Sequence, residues 1–108
     1  MAEITSQLKG IISRYREELA LLGIRVSAVF LYGSYAVGTN RDDSDIDLVV
    51  ISPDFAKLNM RERLELLGVA AGRIMEPVEA FGLTPEEVKQ QTLDAFYANI
   101  LEHEAIPV

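Results

Sequence analysis

Two apolar runs that follow one another across a single short polar stretch restrict this chain more than any other feature. Residues 24–31 carry Ile, Val, Val, Phe and Leu, and residues 45–51 carry Ile, Leu, Val, Val and Ile around two aspartates. Both have the length and the β-branched content of strands, and Gly33-Ser34 and the turn TNRDDS lie between them. So little intervening chain pairs them antiparallel, because a parallel pair needs a longer crossover. The first run, with few polar positions, reads as buried on both faces.

The flanking segments alternate in type. Ile4, Leu8, Ile11, Ile12, Tyr15 and Leu19 form the stripe of an amphipathic helix over 3–22, which Gly23 stops. A short helix fits 34–38. Ser52-Pro53-Asp54 closes the second strand, and Asn59-x-x-Glu62 is a capping box for a helix whose inner face is Met60, Leu64, Leu67, Ala71 and Ile74. Residues 77–83 predict a third strand. Thr84-Pro85-Glu86-Glu87 opens another helix, with threonine as cap, proline in the first turn and glutamates at the positive end. Helical spacing resumes around Phe96, Tyr97, Ile100 and Leu101, and Ile106-Pro107-Val108 fits a short edge segment. The expected fold is α/β (α+β): a small mixed sheet of three to four strands covered by helices, in one domain over 1–108.

Composition narrows the function. Hydrophobic residues make up 49% and charged residues 25%, as in globular proteins. No apolar run approaches the roughly 20 residues that span a bilayer, and MAEITSQLKG lacks the build of a signal peptide. No membrane association and a cytoplasmic location are expected. The absence of cysteine excludes disulfides, thiolate metal sites and thiol nucleophiles. The net charge of −7 is concentrated in residues 75–108, where Lys89 faces seven acidic residues. Direct nucleic-acid binding is not expected, since phosphate affinity is built from Lys and Arg; the acidic third is either a solvated face or a surface for a basic partner.

Asp45 and Asp47 sit at alternate positions of a strand, so both project to one side while Ile46 and Leu48 turn to the core. Two adjacent carboxylates stay ionised together only with a cation between them, and Arg41 is the one basic residue nearby in sequence. Mg²⁺ suits such a pair, taking its remaining ligands from water and substrate phosphates. Gly33-Ser34, directly after a strand, lets a phosphate approach the backbone. A nucleoside triphosphate with its metal would bridge the two halves. Taken singly, a Gly-Ser turn and an Asp-x-Asp are commonly a plain turn and surface decoration; within one block they reinforce each other. Asp42, Asp43 and His103 read as solvated, while Tyr32 and Tyr35 flank the turn and are candidates for lining a base pocket.

Gly33-Ser34, ten intervening residues and Asp45-Ile46-Asp47, with Gly38 and Ser44 also in place, resemble the signature of the minimal nucleotidyltransferases of the polymerase-β-like superfamily. The resemblance extends over nearly the whole chain. It implies the nucleotidyltransferase fold, with Asp45 and Asp47 holding two Mg²⁺ ions and a third acidic residue on the following strand completing the site. Glu79 is the best match for that residue and Glu76 the second choice. It further implies that Gly33 and Ser34 contact the triphosphate of ATP, with Gly38, Arg41 and Ser44 in the same nucleotide-binding stretch. The reaction implied is transfer of AMP from ATP to a hydroxyl with release of pyrophosphate. Similar members pair with a small all-helical HEPN protein as the antitoxin of a toxin–antitoxin system, the acceptor hydroxyl lying on the toxin; assembly into oligomers is also open. One letter departs from the pattern: related sequences carry a basic residue before the second glycine, where this chain has Val37. Two alternatives therefore stand beside the enzyme: an inactive module that neutralises a partner by binding, and a free-standing transferase acting on a small molecule.

Overall fold

A computed structural model describes residues 5–41, 43–89 and 105–108. The first helix, α1 (Ser6–Leu21), begins at Thr5, whose hydroxyl accepts a hydrogen bond from the Leu8 N–H. It is followed by β1 (Ala28–Tyr32), a single-turn helix α2 (Ser34–Val37) and β2 (Ile46–Ile51). A 3-10 turn (Pro53–Lys57) leads to α3 (Met60–Ile74), then β3 (Val78–Leu83), α4 (Pro85–Lys89) and β4 (Ile106–Pro107). The four strands form one mixed sheet in the order β3-β2-β1-β4. β1 runs antiparallel to β2 and β4, whereas β3 is parallel to β2, joined to it through the crossover helix α3. This is the mixed α/β sheet expected from the alternation of patterns. The helical spacing around residues 96–101, and His103, lie outside the described residues.

Strand pleating divides the sheet into two faces. Val29, Leu31, Leu48 and Val50 point to one side and pack with α1 and α3, whereas Val49, Ile51, Phe81 and Leu83 form a smaller cluster on the other. Tyr15, fully buried, donates its hydroxyl proton to the Leu67 carbonyl at 2.9 Å and so ties α1 to α3; burial pushes its pKa up.

Three expectations need correction. The first strand begins at Ala28 rather than residue 24 and ends at Tyr32. After the left-handed Gly23, the Ile24 N–H returns to the Leu19 carbonyl of α1, and the Arg25 N–H is taken by the Asp54 carboxylate at 2.8 Å. The backbone is thus committed elsewhere until Ser27, whose N–H reaches the Ile51 carbonyl. Nor is this strand buried on both faces: Val29 and Leu31 are buried, but Ala28, Phe30 and Tyr32 are half-buried.

The inner face of α3 also differs. Met60 and Leu64 are exposed, the latter by 50%, while Arg63 is only 5% exposed. The first turns of α3 face backbone carbonyls rather than alkyl groups. Arg63 Nε donates to the carbonyls of Phe55 and Leu58, and Nη1 donates to the Gly82 carbonyl and the Glu87 carboxylate. Only a guanidinium offers that many donors.

The capping box at Asn59 and Glu62 forms as expected. A second one, overlooked in the sequence, opens α4: Thr84 Oγ1 accepts from the Glu87 N–H and Glu87 Oε1 accepts from the Thr84 N–H. Glu87 therefore caps its helix and pairs with Arg63 at 2.7 Å.

Candidate active site

One row across the sheet carries the acidic residues. In register, Tyr32 of β1 stands opposite Asp47 of β2, and Asp47 stands opposite Glu79 of β3. Directly paired residues share a face, so Asp47 and Glu79 lie side by side on the face away from α1 and α3. Asp45 precedes the strand rather than opening it, because the ladder starts where the Ile46 N–H reaches the Pro77 carbonyl at 2.8 Å. Asp45 is exposed, and its charge still reaches Asp47.

Gly33 joins the two halves of the motif. Its backbone, at φ 73° and ψ −153°, occupies a region essentially reserved for glycine. A methyl group built there would collide with Asp47 Oδ2 and come within 3.1 Å of Cγ and 3.3 Å of Cβ. Glycine is thus required for conformation and for room, and the carboxylate of Asp47 rests directly against the turn. The sequence pointed to a glycine that admits phosphate; that the same glycine seats the aspartate could not be read from spacing.

The remaining residues of the stretch build the loop. Ser34 is the first residue of α2, and its carbonyl accepts from the Thr39 N–H at 3.0 Å. Gly38 closes α2 in the left-handed conformation at φ 81°, and Val37 before it is 57% exposed. Ser44 Oγ accepts from the Arg41 N–H at 2.7 Å, and the Ser44 N–H returns to the Arg41 carbonyl, which fixes the turn into β2. Arg41 lines a separate cleft of about 380 Å³ with Tyr35, Asn40 and the start of α1. Glu76 lies in the loop before β3 and pairs with Arg14 at 2.9 Å.

Electrostatics mark the row. Burial, then Glu79, then Asp45 raise the pKa of Asp47 above its ordinary value. None of the ion pairs formed among the described residues involves Asp45, Asp47 or Glu79. No group of three or more His, Cys, Asp or Glu side chains among those residues is placed to hold a metal ion. The donor set nonetheless fits Mg²⁺, which takes one or two carboxylates and completes its octahedron with water and substrate phosphates.

Comparison with solved structures gives the same fold. The chain is similar to a toxin–antitoxin structure with AMP-PNP at TM-score 0.60 and 21% identity, covering 92% of this chain and 69% of that one. It is similar to the MntA–HpeT toxin–antitoxin carrying a double Asp-to-Glu substitution at TM-score 0.59 and 20% identity, with coverage of 92% and 69%. A protein from Sulfolobus solfataricus, assigned to the nucleotidyltransferases, matches at TM-score 0.56 and 18% identity over 99% of this chain and 89% of its own. No curated protein matches the chain. The model of the nucleotidyltransferase domain matches residues 12–106, and the chain belongs to that family.

Proposed function

We propose that this nucleotidyltransferase moves AMP from ATP to a hydroxyl of a partner protein in the cytoplasm, in a Mg²⁺-dependent reaction, as the antitoxin of a pair whose toxin is an all-helical HEPN protein. The observation that carries this reading is the contact between Gly33 and Asp47. It sets the turn that would receive the triphosphate against the carboxylate that would receive its metal. AMP-PNP in one similar structure and the toxin–antitoxin character of two of them support the choice of nucleotide and partner.

Asp45 and Asp47 would hold the metal, which when bound neutralises phosphate charge and stabilises the attacking and leaving oxygens. The Ala36 and Val37 N–H groups of α2 return to the Gly33 carbonyl, and the Ser34 and Tyr35 N–H groups before them, with the Ser34 hydroxyl, would orient the phosphates. Glu79, beside Asp47, would take the acceptor proton. The acceptor oxygen then bonds to the α-phosphorus as the bond from that phosphorus to pyrophosphate breaks, so the role of the chain is position and charge.

The test combines the purified protein, ATP, Mg²⁺ and a HEPN-type partner, followed by intact-mass measurement of the partner. The reading expects an increment of one AMP per modified hydroxyl, absent with Asp47→Ala; an unchanged partner mass refutes it. The exposed Val37, where a basic residue would strengthen phosphate binding, favours the second reading of a module that acts by contact alone. Such a module would suppress the partner's activity equally well with Asp45 and Asp47 replaced.

A further inference from the structure

A cleft of about 440 Å³ opens between the turn that follows β2 and the start of α4, which follows β3. It lies outside the carboxyl ends of the parallel pair β2–β3, the side on which parallel sheets ordinarily take their ligands. Asp47 stands near the other end of β2, about 17 Å from Ser52 at the rise of a strand. Pro53, Ala56 and Pro85 make apolar walls, and Arg63, Thr84 and Glu87 supply polar groups.

Those polar groups have hydrogen-bonding capacity to spare. Arg63 and Thr84 are each only 5% exposed. Arg63 Nε and Nη1 are engaged by carbonyls and by Glu87, whereas Nη2 has no partner among the described residues. Nor is Nη2 sealed in the core, where Glu18 Oε2 is the one side-chain polar atom left unsatisfied among those residues; the cleft is what it faces. Thr84 Oγ1 accepts from the Glu87 N–H, and its own proton finds no acceptor among the described residues. Glu87 commits Oε1 to Arg63 and Thr84 and leaves Oε2 open. A guanidinium N–H so far withdrawn from water calls for an acceptor.

We propose that this cleft binds a small neutral molecule with a carbonyl oxygen beside an N–H: a planar carboxamide or lactam. The carbonyl accepts from Arg63 Nη2 and the Thr84 hydroxyl, the N–H donates to Glu87 Oε2, and the flat faces pack on the prolines. Phosphates and carboxylates are disfavoured, because Glu86 and Glu87 outnumber Arg63 along the lining. A cation would set its charge against the one donor that lacks a partner. The volume, and a few polar groups placed between apolar walls, are those of a small-molecule site. None of these residues belongs to the Gly33–Asp47–Glu79 row, so this site is independent of nucleotide transfer.

Nuclear magnetic resonance titration of the isotope-labelled protein tests the site with three probes: nicotinamide, uracil and nicotinate, the carboxylate counterpart of the first. Nicotinamide and uracil saturably shift the backbone signals of Ala56, Thr84 and Glu87 and the Arg63 Nε signal. Nicotinate binds roughly tenfold or more weakly than nicotinamide, as its charge meets the glutamates. Ala56→Trp, at an exposed position, fills the cleft and removes the shifts. Glu86→Gln, also exposed, narrows the gap between nicotinamide and nicotinate and carries the test should Ala56→Trp fail to fold. Asp45→Asn/Asp47→Asn binds nicotinamide as the wild type does, which separates this cleft from the candidate active site. The proposal is overturned if neither nicotinamide nor uracil shifts these signals saturably, or if nicotinate binds as well as nicotinamide. Binding retained in Ala56→Trp, or lost in Asp45→Asn/Asp47→Asn, overturns it too.

Discussion

Replacing Gly33 with alanine tests how the two halves of the site are joined. Gly33 has φ 73° and ψ −153°, a conformation that costs a side-chain-bearing residue about 1–3 kcal/mol. The new methyl also meets Asp47 Oδ2 and approaches Cγ to 3.1 Å, so the aspartate must leave its rotamer. That displacement adds about 0.5–1.5 kcal/mol. Gly33→Ala should therefore lose about 1.5–4.5 kcal/mol in urea unfolding, the sum of those two ranges. Gly38→Ala separates the contributions: it shares a positive φ of 81° but has nothing within 4 Å, so only the backbone cost of about 1–2 kcal/mol remains. Adding Asp47→Ala to Gly33→Ala removes the collision and not the dihedral strain, so the double variant should be more stable than the summed losses by about 0.5–1.5 kcal/mol. A Gly33→Ala protein as stable as wild type, or strict additivity with Asp47→Ala, would refute the claim that this glycine seats the carboxylate.

Other perturbations follow from the same contacts. Asp47→Asn removes a charge set directly opposite Glu79 and should raise stability by about 0.2–1 kcal/mol in thermal or urea unfolding, while metal-dependent nucleotide binding is lost. Burial pushes the Glu87 carboxyl up, but hydrogen bonds from Arg63 and from the Thr84 backbone, with the Arg63 charge, outweigh it and hold the pKa below 4.5. Its stabilisation is therefore fully present above pH 4.5 and is lost as the pH falls through the depressed value; an acid-unfolding profile of Glu87→Gln should lack that component. Gly82→Ala drives a methyl to within 2.6–2.9 Å of the Phe55 ring, and an unfolding curve should show a loss of about 1–3 kcal/mol.

Much of the scaffold was legible because local patterns and the fold agree. The stripe from Leu8 to Leu19, the Asn59–Glu62 box and the pleat that turns Ile46 and Leu48 away from Asp47 all follow from periodicity and capping chemistry. What stayed hidden depends on contacts distant in sequence. Arg63 lies off the apolar stripe read for α3, and its burial depends on the carbonyls of Phe55, Leu58 and Gly82 converging on it. The strand start at Ala28 was set by Asp54, nearly thirty residues away, capturing the Arg25 N–H. At the site, alternation placed Asp47, and the parallel register then brought Glu79 beside it while Glu76 went to Arg14. No pattern in the sequence indicated that Gly33 would lie against Asp47, since that contact joins the turn after β1 to the neighbouring strand β2.

The central claim is that Gly33, Asp45, Asp47 and Glu79 form one site for a nucleotide and its metal. Isothermal titration of ATP into the purified protein, with and without Mg²⁺, addresses it most directly. Binding should require Mg²⁺ and disappear in a folded Asp45→Asn/Asp47→Asn variant. ATP binding of equal strength without Mg²⁺, or retained in that variant, would contradict it.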